Sequence, residues 1–180
     1  PKPVTIRVFD LGSDKYVEGL PIKEFNPALG LRGIRFLLSR QDIFKTQLRA
    51  LLRASMNKNL KIMLPMITSL HEVELSRKIL EMCKNELQQE GVLFDNLIPL
   101  GVMIETPAAA VISDGLAKVA DFFSIGTNDL TQYTLAADRN NELVSDIFDD
   151  FHPSVLRLID FIIKTAHKNG ITVSICGELA

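Results

Sequence analysis

Short β-branched apolar runs alternate along this chain with longer stretches in which apolar side chains recur every three or four residues. Five runs predict strands: residues 4–9, 61–64, Leu100–Ile104, 122–125 and 172–175. They are continuously apolar rather than alternating, the pattern of parallel strands covered on both faces. The helical stretches carry their own start and stop signals. Ser69 with Glu72 three residues on forms a capping box, and Ser76, Ile79, Leu80, Cys83 and Leu87 share one face of a helix predicted to reach Gln89. Thr106 followed by Pro107 reads as an N-cap with proline in the first turn, opening a helix over residues 108–119. Pro153 opens another, with Val155, Ile159, Ile162, Ile163 and Ala166 as its buried stripe and Gly170 at its end. Phe44, Leu48, Leu51 and Leu52 mark a further helix whose wet side carries Lys45, Arg49 and Arg53.

Strand and helix alternating without a long polar linker predict right-handed βαβ units on one parallel sheet. An open doubly wound sheet and a (β/α)8 barrel share that order. About five units in 180 residues fall short of the roughly 250 residues a complete barrel uses, so a barrel present in part competes with a small complete sheet. Both ends look cut, and the expectation is a piece of a longer protein.

Composition narrows the partners. Lys and Arg number 20 against 22 Asp and Glu, a formal charge of -2, which gives no general reason to expect nucleic acid or a membrane surface. A bound anion must then be held by a local group of cations. No apolar run approaches the roughly 20 residues of a membrane helix. Cys83 and Cys176 lie far apart and outside any metal-ligand spacing, so two free thiols in a cytoplasmic protein are expected.

Parallel α/β folds place their sites at the carboxyl ends of the strands. The first strand carries Arg7 and runs into Asp10-Leu-Gly-Ser-Asp14-Lys15; the next informative one ends on Glu105, another in Gly126-Thr-Asn128-Asp129, and the last in Cys176-Gly-Glu178. Glu105 and Asp129 offer hard oxygens of the kind Mg²⁺ takes beside a phosphate. Asp129 could equally cap the helix that follows it, whereas Thr106 already fits that duty after Glu105. Arg7, Arg32 and Arg139 are placed to gather round an anion, since arginine forks grip phosphate and carboxylate bidentately. Arg7 must in any case find a partner, being a charge within an apolar strand. Arg40, Arg49, Arg53, Arg77 and Arg157 read as solvated charges on helix faces, and His71, His152 and His167 as structural or solvated. Cys83 reads as a small buried hydrophobe. Cys176 stands at the functional rim beside glycine and glutamate.

The run Gly101-Val-Met-Ile-Glu105-Thr-Pro-Ala-Ala-Ala110 resembles the metal-binding strand of the phosphoenolpyruvate (PEP)-utilising enzymes, as do Asp121-Phe-Phe-Ser-Ile-Gly-Thr-Asn128-Asp129-Leu-Thr-Gln-Tyr133 and Cys176-Gly-Glu178. The resemblance runs over nearly the whole chain. Within the family it is greatest to the branch that passes the phosphoryl group of PEP through a histidine to a small carrier protein for sugar uptake; a dikinase and a PEP synthase branch share the barrel. The resemblance implies a parallel (β/α)8 barrel, incomplete here, with residues 1–180 as one partial PEP-binding domain and no second domain. It implies Mg²⁺ on Glu105 and Asp129, and Arg7, Arg32, Asn128, Asp129 and Arg139 on the substrate. Cys176 would be the acid that protonates C3 of the enolate as pyruvate forms. The implied partners are PEP and pyruvate, an N-terminal phosphohistidine domain whose Thr-Ser-His-type motif this chain lacks, its phosphocarrier protein, and a second copy of the same domain. Ser13 departs from the glycine common at that place. Two other readings stay open: a non-catalytic PEP-binding or dimerisation fragment, and a complete small α/β enzyme acting on another 2-oxo acid.

Overall fold

The computed structural model describes residues 2–10 and 24–180. Ser13, Asp14 and Lys15 lie outside the described residues. All five predicted strands form: β1 (Val4–Arg7), β2 (Leu60–Leu64), β3 (Leu100–Ile104), β4 (Phe122–Gly126) and β5 (Thr172–Cys176). The first ends two residues early, because the Phe9 amide donates to the Gln47 side chain at 3.1 Å instead of extending a ladder.

The chain divides into two compact units, residues 1–66 with 74–100 and residues 67–73 with 101–180. In the first, β1 and β2 pair in parallel, Val4 opposite Leu60 through Arg7 opposite Met63. Helices α1 (Gly33–Ser39), α2 (Gln41–Ala54) and most of α3 (Leu70–Gln89) belong to this unit. Phe44, Leu48, Leu51 and Leu52 of α2 and Ser76, Ile79, Leu80, Cys83 and Leu87 of α3 are buried as the periodicity predicts. The wet side of α2 differs from expectation. Arg49 pairs with Glu86 at 2.9 Å and Glu90 at 2.7 Å, and Arg53 with Glu90 at 3.2 Å, so these charges bind α2 to α3 instead of standing alone in solvent. Helix α1 was not expected: seven residues are too short for a clear period, and its first residue, Gly33, has φ +54°.

In the second unit β3, β4 and β5 pair in parallel, with Ile104 opposite Ile125 and Gly126 opposite Cys176. The capping box forms: the Ser69 amide donates to Glu72 at 2.8 Å and the Glu72 amide to Ser69 Oγ at 3.4 Å. Thr106 caps as predicted, its Oγ1 accepting from the Ala109 amide at 3.1 Å while donating to the Ile67 carbonyl at 2.7 Å. The helix predicted over 108–119 is divided into α4 (Pro107–Val111) and α5 (Ser113–Leu116), with Ile112 between them at φ −98°, ψ 18°. Two β-branched residues followed by Ser113 and Asp114, which compete for backbone groups, weaken the helix there. Helices α6 (Thr127–Leu135) and α7 (Pro153–Lys168) complete the unit. On α7 the buried stripe is Val155, Ile159, Ile162 and Ala166 with Thr165, and Ile163 is half-buried.

Every residue of β3 and β4 is buried, whereas β1 and β5 are largely exposed. The expectation of strands covered on both faces thus holds for the inner strands and fails for these two. Among the described residues no helix is long and apolar enough to cross a membrane.

Candidate active site

Glu105 stands one residue past β3, and Asn128 and Asp129 lie in the first turn of α6, directly after β4. Parallel pairing of β3 with β4 therefore brings two carboxylates to neighbouring strand ends. Glu105 is 2% exposed and Asp129 5%, and each offers a carboxylate oxygen within 4.8 Å of the other. Gly126 makes room for them: a Cβ there would lie 2.9 Å from both Cβ and Oε2 of Glu105. Arg139, in the loop beyond α6, places Nη1 3.2 Å from Asp129 Oδ1. The Arg139 amide is in turn fixed by Gln132 Oε1 at 3.1 Å. Two buried carboxylates this close repel each other, so the arrangement calls for positive charge. As a set of hard oxygen donors, they fit a Mg²⁺ ion that keeps water for its remaining positions.

The carboxyl end of β5 is held against the start of α6. Gly177 takes φ +105°, and a Cβ there would overlap Thr127 Oγ1 and lie 2.6 Å from Asn128 Oδ1. Thr127 donates to the Cys176 carbonyl at 3.1 Å, and Asn128 Oδ1 accepts from the Glu178 amide at 2.9 Å. Asn128, which the resemblance assigns to substrate, is thus also the clasp of the Cys176-Gly-Glu178 turn. Cys176 is half-buried, and its thiol donates to the Ile125 carbonyl at 3.4 Å. Glu178 is exposed.

In the first unit, Arg7 and Arg32 meet on one carboxylate. Arg32 grips Asp10 with Nε at 3.0 Å and Nη2 at 2.6 Å, and Arg7 Nη1 lies 3.3 Å from Oδ2. The Asp10 side chain is 1% exposed, against 12% for Arg32 and 43% for Arg7. Gly33 allows this approach, since a Cβ there would meet Met66 at 2.8 Å and Asp10 Oδ1 at 3.2 Å. Arg7 therefore finds the partner its place in a strand demands.

Sequence reasoning gave no role to Asp10, Ser124 or Thr127. A carboxylate three residues after a strand arginine is a signal for Asp10. For Ser124 the signal is a hydroxyl inside the apolar run Phe122-Phe-Ser-Ile, which needs a partner once buried. Cys83 is buried, and desolvation pushes its thiol up from 9.0 to about 11, as suits an inert packing residue. His152 serves as N-cap of α7, its Nδ1 accepting from the Ser154 amide at 3.2 Å.

Parallel strands alternating with helices, with polar groups following the strand ends in each unit, define a protein of the parallel (β/α) barrel class. Residues 1–180 match the family described as PEP-utilising enzyme, PEP-binding domain, and the chain belongs to that family. It is 54% identical to the phosphoenolpyruvate-protein phosphotransferase of Priestia megaterium over 180 residues, 99% of this chain and 31% of that protein. It is 53% identical to the Haemophilus influenzae protein of the same name over 176 residues, 97% of this chain and 31% of that one. The chain thus spans about a third of the length of these curated relatives. Among solved structures, a citrate lyase from Burkholderia xenovorans superposes with TM-score 0.56 at 23% identity, covering 73% of this chain and 40% of that one. An aldolase/citrate lyase family protein from Burkholderia cenocepacia gives 0.53 at 12% identity, over 73% and 54%. Likeness at that identity speaks for the fold.

Proposed function

We propose that this chain is the PEP-binding catalytic domain of a phosphoenolpyruvate-protein phosphotransferase. Residues 1–180 act as one partial barrel domain. The enzyme moves the phosphoryl group of PEP to a histidine on another domain and on to a small phosphocarrier protein, releasing pyruvate. The observation that carries the reading is the buried Glu105–Asp129 pair, at neighbouring strand ends beside Arg139, in a chain that matches the family over its whole length.

Glu105 and Asp129 would hold Mg²⁺, which when bound offsets negative charge on the carboxylate and phosphate of PEP. Arg7, Arg32 and Arg139, helped by Asn128, hold and orient the phosphate. For Arg32 this means exchanging part of its two-point grip on Asp10, and for Arg139 its single contact to Asp129, for a contact to phosphate. Loss of the phosphoryl group leaves an enolate, and Cys176 gives it a proton at C3, which draws the transfer forward. Asn128 keeps the Cys176 turn in place during this step. The domain works as a homodimer in the cytoplasm; the exposed apolar side chains Leu143, Ile147 and Phe151 support a protein-covered surface.

The test is PEP-dependent phosphorylation of the carrier protein by the intact protein, with and without Mg²⁺. Transfer that needs both PEP and Mg²⁺ is the expected result. Absence of transfer from PEP, with PEP still bound, would leave a non-catalytic module.

A further inference from the structure

Ser124 lies on β4, two residues before Gly126, the residue that pairs with Cys176 on β5. Side chains two apart share a face of a strand, so Ser124 and Cys176 emerge on the same side of neighbouring strands. Ser124 is 5% exposed, and its hydroxyl donates to Cys176 Sγ at 3.4 Å. The thiol hydrogen meanwhile points to the Ile125 carbonyl, also at 3.4 Å. The sulfur is therefore held from two sides, and the backbone beneath it is held by Thr127 and Asn128.

These two contacts behave differently when the thiol gives up its proton. The contact to Ile125 depends on the S–H bond and is lost with it. The contact from Ser124 needs only a sulfur lone pair, and it strengthens as negative charge grows on sulfur. We infer that Ser124 is a positioning residue for proton delivery by Cys176: it fixes the sulfur and supplies the hydrogen bond that receives the developing thiolate. The inference rests on the reading of Cys176 as the acid. In the step itself the S–H bond breaks, its electron pair stays on sulfur, and the enolate π pair forms the new C–H bond at C3. Water returns the proton to sulfur before the next turnover. A donor aimed at the atom where charge develops lowers the barrier without tightening substrate binding.

The experiment uses the intact protein carrying Cys83→Ala, so that Cys176 is the one thiol of this chain, and adds Ser124→Ala, Ser124→Thr or Cys176→Ala. Two readouts are followed. One is the infrared S–H stretching band of Cys176, which reports its hydrogen bonds without reference to catalysis. The other is exchange of pyruvate methyl protons with deuterated water, with KM and kcat separated. Expected for Ser124→Ala are a shifted S–H band, an exchange kcat lower by about ten- to a hundredfold, and an unchanged KM. Ser124→Thr, which keeps the hydroxyl, restores both. An unmoved band overturns the inference, because Ser124 then does not touch the thiol. A moved band with undiminished exchange, while Cys176→Ala is inactive, overturns it as well and leaves a packing contact. Undiminished exchange in Cys176→Ala removes the acid itself, a failure of the functional reading that the band distinguishes from failure of the contact.

Discussion

In the first unit Asp10 is closed in by two guanidinium groups, with Arg32 on both its oxygens at 3.0 and 2.6 Å and Arg7 at 3.3 Å. In the second unit Asp129 has Arg139 on one oxygen at 3.2 Å and a second buried carboxylate, Glu105, within 4.8 Å. Both aspartates are nearly inaccessible, and both follow a strand. They differ in how many guanidinium contacts each receives. Asp10 has two guanidinium groups on it, one of them a bidentate fork. Glu105 and Asp129 concentrate negative charge, which a fold does not gain stability from doing unless a cation joins them. A buried carboxylate alone says little about function; the charges around it decide what it can hold.

The largest effect that sharpens this contrast comes from Asp129→Ala. In the intact protein, PEP-dependent turnover in Mg²⁺ should fall by about a thousandfold, since a small octahedral ion held through two carboxylates cannot spare one. The thermal midpoint without metal should stay level or rise, because a repelled charge is gone. Asp10→Ala should do the reverse to stability, lowering it by roughly 2 kcal/mol by removing the carboxylate that the half-buried Arg32 fork grips at both oxygens. Equal destabilisation by the two replacements would erase the distinction. Next in size is Cys176→Ala. PEP binding should persist while methyl-proton exchange drops by at least about a hundredfold, the usual worth of a positioned acid. Arg139→Lys follows, with turnover lower by about tenfold and the thermal midpoint unchanged, because a point charge cannot reproduce the fork geometry. A lysine variant with normal kinetics would return Arg139 to the role of an ordinary ion-pair partner.

The inner strands were legible because their apolar runs are continuous, and β3 matches its expected limits to the residue. Helices α2, α3 and α7 were legible because an apolar stripe of four or five residues survives in each. What local pattern could not supply lies in short or interrupted elements. Helix α1 has seven residues, and the break at Ile112 comes from β-branching and competing hydroxyl and carboxylate groups within an otherwise helical composition. The rim carboxylates were legible from strand order alone, because parallel strands put their carboxyl ends together. The roles of Asp10, Ser124 and Thr127 were not, since each depends on which residue stands opposite in another element. Register fixes that, and spacing along one strand does not contain it. The charges of α2 show the same limit: Arg49 sits on a polar face by periodicity, yet its partners Glu86 and Glu90 are about forty residues away.

The two thiols carry the comparison down to its smallest effect. Cys83 lies 0% exposed on the apolar face of α3, its thiol donating to the Lys45 carbonyl at 3.9 Å. Burial holds its proton, raising it from 9.0 to about 11, with Glu86 adding to that and Lys45 and Arg49 opposing it. Below the unfolded value both states keep the proton, and this group leaves stability independent of pH. Between 9.0 and about 11 the unfolded chain releases a proton that the folded one retains, so the unfolded state gains and stability falls with rising pH. For this group the slope approaches about 1.4 kcal/mol per pH unit. Cys83→Ala removes the slope and leaves a small cavity. At pH 8 the variant should be less stable by about 1 kcal/mol. Above pH 10 that deficit should vanish or reverse, as the wild-type chain loses what alanine never had. Urea midpoints measured from pH 7 to 11 decide it, and parallel curves at constant separation would show that the Cys83 proton is not held by the fold. Catalysis should be untouched throughout. In native protein at pH 8, iodoacetamide should label the half-buried Cys176 and leave Cys83 unmodified until unfolding exposes it.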